Sequence, residues 1–173
     1  NVDEYKFDYY RDANTLFEAF KGGLYDIRSE DNPTRWVTGY DFPRMTEQKA
    51  IKDAVPIRTP KGMTALAMNT RKPVFSDIRT REALSYLFDF EWVNKSLFEG
   101  VYKRTSSYFE GSDLASTGVP ASEKEKALLA PFPDAVRSDI LAGTWRPPIS
   151  DGTGRDRNNA KKAFDLLKSA GWS

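Results

Sequence analysis

The chain has 173 residues, 39% hydrophobic and 29% charged, which suits one globular domain of ordinary size with a proper core. Lysine and arginine total 26 against 25 acidic residues, a net charge of +1, and no basic stripe stands out. The balance argues against a nucleic-acid binder. Histidine and cysteine are both absent, which removes imidazole and thiol catalysis, disulfides and His or Cys metal sites. No apolar run approaches the ~20 residues of a membrane-spanning helix.

In chain order, Val2–Tyr10 alternates Val2, Tyr5, Phe7 and Tyr9 with charged neighbours, the pattern of a half-buried strand. "DANTLFEAFKGG" predicts a helix capped by Asp12 or Asn14, lined by Leu16, Phe17 and Phe20 and ended by Gly22-Gly23. Leu24–Arg28 is a short strand candidate, so the order strand, helix, strand points to an α/β fold. Residues 29–45 are turn-rich, with Pro33 suited to the first turn of a brief helix around Trp36. "KAIKDAVPI" and Met63–Asn69 are further strand candidates.

Asp77 then caps a predicted helix whose apolar face is Ile78, Leu84, Leu87 and Phe88, with Ala83 as a small neighbour. Asp89 starts another, carrying Trp92, Val93 and Leu97 and closing at Gly100. Residues 103–158 form a long irregular region rich in Gly, Pro and Ser, with short helices expected in "SEKEKALLA" and "DAVRSDILAG". The last helix, "NNAKKAFDLLKSAGW", has Ala160, Ala163, Phe164, Leu167 and Ala170 as its stripe and Gly171 as its stop.

Few residues suggest chemistry. "DGTGRD" lacks the glycine spacing and Gly-Lys-Ser/Thr ending of a phosphate loop, and reads as a turn before a helix cap. The carboxylate pairs Asp89/Glu91 and Glu30/Asp31 have the residue types of a glycosidase site, but neighbours this close along a helix or extended segment do not face one another. Trp36, Tyr40, Phe42, Trp92, Tyr108, Phe109 and Trp145 are either a ligand platform or packing. Trp92, on an apolar helix face, is expected in the core. Arg79 and Arg81 beside Asp77, Glu82 and Asp89 read as local ion pairs on a helix surface.

Three motifs resemble one family. Asn69, Pro73, Phe75, Asp77, Arg79, Arg81, Ala83, Leu84 and Asp89 fit the pattern Asn-x-x-x-x-Pro-Phe-x-Asp-x-Arg-Val-Arg-x-Ala-Leu-x-x-Ala-Ile-Asp, with Thr80 in place of Val and Leu87-Phe88 before the aspartate. "FEAFKGGLYDI" is similar to Ala-Leu-x-x-Gly-x-x-Asp-Ile, and "AKKAFDLLKSAGW" to Ala-x-x-Leu-Leu-x-x-Ala-Gly-Trp. Together they resemble the solute-binding proteins of dipeptide and oligopeptide ABC transporters, with finer likeness to the oligopeptide and microcin C uptake subgroup.

That resemblance implies an α/β fold with a mixed β-sheet flanked by helices, one lobe of a two-lobed periplasmic binding protein of Gram-negative bacteria. Residues 1–173 are then a single domain within the second lobe, and the other lobe of the same protein is a partner. It further implies a non-enzymatic protein without cofactor or metal, taking a peptide ligand and delivering it to permease subunits. Missing strands would expose a sheet edge and favour a homodimer of the piece. Asp77 and Asp89 become helix caps. Loops after strands are the expected ligand contacts: Arg28 and Glu30, Arg71, then Arg104 and Tyr108. Guanidinium groups suit a peptide carboxylate, Glu30 an ammonium, and Tyr108 a side chain to stack on. The rival readings are a small α/β hydrolase using paired carboxylates and an interaction domain docking through residues 103–158.

Overall fold

The computed structural model describes residues 2–173. It divides into two compact units, Asn1–Val55 and Pro56–Ser173.

In the first unit, α1 (Ala13–Lys21) begins where the Asp12 carboxylate accepts from the N–H groups of Asn14 and Thr15, at 3.0 and 2.9 Å. Gly22 caps its end, and Gly23 takes a positive φ of 78° with the Arg44 guanidinium packed against it. α2 (Pro33–Thr38) starts with proline in its first turn and the Asn32 side chain as cap. α3 (Pro43–Thr46) is a single turn. Phe17, Phe20 and Phe42 form the buried centre, flanked by Tyr25, Tyr40, Met45 and Ala50. The rings meet edge-on or tilted: Phe17 and Phe20 lie 6.2 and 6.1 Å from Phe42, both at 85°.

In the second unit, α4 (Pro73–Ser76) leads through Asp77 into α5 (Ile78–Leu87), and Asp89 caps α6 (Phe90–Leu97). α7 (Glu123–Leu129) carries a reciprocal cap between Ser122 and Glu125, and α8 (Ser138–Leu141) is one turn. α9 (Arg157–Ser169) is capped by Asp156 and packs on α5. Ala83, with no exposed surface, and Ala163, 1% exposed, lie on the facing helices with Thr80 and Asn159. Small side chains let two helix backbones approach closely.

Beyond α9, Gly171 takes φ +91° and the Trp172 N–H returns to the Leu167 carbonyl at 3.0 Å. The indole N–H then donates to Thr80 Oγ1 at 3.1 Å. Arg79 completes the fastening: it pairs with Asp77 at 2.6 Å and donates to the Ser169 carbonyl at 2.6 Å. The Asp-x-Arg motif therefore ties the start of α5 to the end of α9.

Three expectations are corrected. The α/β class with a mixed sheet does not hold: among the described residues there are nine helices and no strand. Residues 2–10, 24–28, 49–57 and 63–69 pair in no ladder, and Tyr9 and Leu66 are 95% and 92% exposed. Alternation in sequence reports an extended backbone, but a strand exists only when a neighbour supplies hydrogen bonds. The face of α5 also differs, since Ile78, Leu84, Leu87 and Phe88 remain exposed while Thr80 and Ala83 are buried. Trp92 is 40% exposed rather than a core residue.

Candidate ligand-binding site

The expected ligand contacts fall into three settings. Arg28 and Glu30 meet in the first unit, where the segment after Gly23 runs beside the aromatic centre. Arg28 Nη2 lies 3.0 Å from Glu30 Oε2, with only 5% and 2% of the two side chains exposed. The Tyr40 hydroxyl donates to the same carboxylate oxygen at 3.0 Å, and the Asn32 N–H to the other at 3.0 Å. Arg28 also donates to the hydroxyls of Tyr40 and Tyr25, at 3.3 and 3.2 Å, and the Tyr25 hydroxyl donates to the Leu16 carbonyl at 2.9 Å. The guanidinium groups of Arg28 and Arg35 sit 5.2 and 5.0 Å from the centre of the Phe17 ring.

Burial alone would raise the Glu30 pKa. The Asn32 N–H, Arg28 and Tyr40 outweigh it and hold the carboxyl below its ordinary value. Arg28 is raised despite its own burial, through the two tyrosines and Glu30. The arrangement is a satisfied, charged pair, and a ligand that used either group would have to displace the other. Tyr25 and Tyr40 were not singled out from sequence as its partners. Tyr25 stands three residues before Arg28, a spacing that offered the only local hint.

Arg104 lies in the second unit, at the start of the long region. It donates to the Pro148 carbonyl and sits 5.6 Å from the Phe88 ring centre. Burial lowers its pKa, and Glu91 partly restores it. Arg71 and Tyr108 are exposed, in separate loops; the Arg71 N–H donates to Asn69 Oδ1 at 3.1 Å.

The carboxylates Asp89 and Glu91 converge after all, on Ser150. Its hydroxyl contacts Asp89 Oδ1 and lies 2.7 Å from Glu91 Oε2, and its N–H donates to Glu91 at 2.9 Å. Asp89 additionally accepts from the N–H groups of Trp92 and Gly154, both at 2.9 Å. Gly154, at φ +75°, lies flat against the Trp92 ring, where a Cβ would come within 3.1 Å. Burial pushes both carboxyls up, yet their hydrogen bonds leave both below the ordinary range. A glycosidase pair needs one carboxyl raised so that it can donate a proton, and here both are acceptors that clasp residues 150–154 onto α6.

Among the described residues, no helix is long and apolar enough to cross a membrane. The model of the bacterial extracellular solute-binding proteins, family 5 Middle, matches residues 1–173. A protein of Brucella melitensis named as a binding protein is 53% identical over 172 residues, 99% of this chain and 28% of its own length. The peptidoglycan-binding protein YepA of Agrobacterium fabrum is 41% identical over 180 residues, 100% of this chain and 29% of its own. A further Agrobacterium fabrum protein, YejA, named for peptide binding, is 36% identical over 174 residues, 99% of this chain and 28% of its own. The chain thus spans less than a third of the length of these curated relatives. It belongs to the bacterial extracellular solute-binding proteins of family 5, which bind their solutes without catalysing a reaction on them.

Proposed function

We propose that this chain is part of one lobe of a peptide-binding protein that serves an ABC importer in the Gram-negative periplasm. In the whole protein, a second lobe closes over the peptide and permease subunits at the membrane receive it. The observation that carries the reading is the family match along all 173 residues, supported by a relative whose name states peptide binding.

The proposed contacts are Arg28, Glu30, Arg71, Arg104 and Tyr108. Arg71 and Tyr108 are open to a ligand as they stand. Arg28 and Glu30 engage one only by exchanging their present partners, while Arg104 holds a backbone carbonyl through Nη1. The ligands are oligopeptides, including microcin C-like peptides. The peptidoglycan-binding relative favours peptides released from peptidoglycan as a second class. Calorimetry of the whole protein against oligopeptides and peptidoglycan fragments, repeated with Arg71→Ala and Arg104→Ala, tests both. Saturable binding weakened by at least one substitution is expected. Unchanged binding in both variants discards those two contacts, and no binding by the unsubstituted protein discards the peptide reading.

A further inference from the structure

The irregular region returns to α5 at residues 137–148, and there the second unit opens a cleft of about 470 Å³. That volume lies within the roughly 300–1,000 Å³ of small-molecule sites. Met68, Ile78, Ile140 and Trp145 give it apolar walls, and Ile140 and Trp145 keep 47% and 37% of their surface exposed. An apolar wall left uncovered beside charges is the setting for an amphipathic ligand rather than for water alone.

The charges are unequal: Arg81, Arg137 and Arg146 line the cleft against Glu82 and Asp139. Asp139 is matched by Arg137, through Nη2 at 2.5 Å and Nε at 3.1 Å. Glu82 lies 3.6 Å from Arg137 Nη1, an ion pair without a hydrogen bond. The other two guanidiniums hold only backbone carbonyls. Arg81 Nη1 donates to Phe75 and Ser76, at 2.6 and 2.9 Å, and Arg146 Nη1 to Gly143 and Trp145, at 2.9 and 2.6 Å. Among the described residues, the remaining nitrogens of Arg81 and Arg146 have no hydrogen bond. Both positive groups therefore line the cleft with donors in hand and no carboxylate bonded to them, although the charge of Asp77 acts on Arg81. A carboxylate takes a guanidinium's paired N–H groups in two parallel bonds.

We infer that this cleft binds the acidic part of a peptide, with a carboxylate on Arg146 and a neighbouring apolar side chain against Trp145, Ile140 and Met68. The inference rests on the peptide-binding reading and assigns it a subsite that discriminates by charge. A peptide bearing lysine in place of the acid meets the surplus guanidiniums and is rejected.

The test uses the whole protein and three amidated tripeptides, Ala-Phe-Glu, Ala-Phe-Lys and Ala-Ala-Glu, measured by calorimetry. Ala-Phe-Glu is expected to bind at least tenfold tighter than the other two. Trp145→Ala and Arg146→Gln are expected to remove that preference. A photoreactive Ala-Phe-Glu should crosslink within residues 137–148, a readout on the unsubstituted protein that stands even if a variant fails to fold. Crosslinking only elsewhere, or an undiminished preference in folded variants, overturns the subsite while leaving peptide binding intact. Failure of all three tripeptides together with the oligopeptide panel overturns the peptide reading and the subsite with it.

Discussion

Arg28 and Arg146 show two uses of one side chain. In the first unit, Arg28 is enclosed with Glu30, and two tyrosine hydroxyls share its donors. In the second, Arg146 holds two backbone carbonyls at a cleft edge and meets no carboxylate. Arg28 and Glu30 are expected as ligand contacts from their loop position after a strand candidate. Their geometry shows a second role, fixing the segment after α1 against the aromatic centre. Charged residue types alone do not separate a structural pair from a receptive one; what separates them is whether the partners are already present.

The sharpest way to break the comparison is Glu30→Ala. It leaves Arg28 buried without its countercharge, and removing one partner of a buried pair costs roughly 3–5 kcal/mol. Urea unfolding should show a loss of about 3 kcal/mol, and a loss below about 1 kcal/mol would mean that the pair opens readily. Next comes Ala163→Leu, which forces a larger side chain into the contact of α5 with α9. Overpacking of this kind costs about 1–3 kcal/mol, read from the same unfolding curves.

Gly154→Ala is smaller. It places a Cβ at a positive φ and against the Trp92 ring, with an expected cost of about 1–2 kcal/mol and a change in Trp92 fluorescence. The mildest is Arg79→Ala, which frees the Ser169 carbonyl. Faster amide exchange at residues 170–172 is expected, with little change elsewhere.

The same fastening has a pH signature. Hydrogen bonds from the Arg79 side chain and N–H hold Asp77 down to about 2 from an ordinary 3.8. The folded state therefore binds this proton less readily than the unfolded chain does. The contribution is full above pH ~4 and is lost as the pH falls toward 2. Amide exchange at the start of α5 should accelerate over that interval in the unsubstituted protein and not in Asp77→Asn.

Helix starts were legible because a cap is local: Asp12, Asp77 and Asp89 each accept N–H groups two or three residues ahead. α7 and the turn before α9 follow from the same local chemistry, whereas α8 has no side-chain cap. Sheet formation was not legible, since Tyr5, Phe7 and Tyr9 specify an extended backbone but not a neighbour to pair with. The buried face of α5 was also missed. Apolar size favoured Ile78 and Leu87, whereas close approach to α9 selects Thr80 and Ala83. Of the candidate site, Arg28 and Glu30 are expected from sequence as separate ligand contacts, and their pairing with each other is visible only in the structure. The cleft was not legible either, because Met68, Arg81 and Trp145 come together only through the return of a long loop.

The most direct test of the central claim is native mass spectrometry of the whole protein incubated with an oligopeptide panel. The account predicts one peptide bound per protein, released with its mass unchanged after prolonged incubation. Cleaved peptide, lost when Glu30 or Asp89 is replaced by its amide, would contradict it.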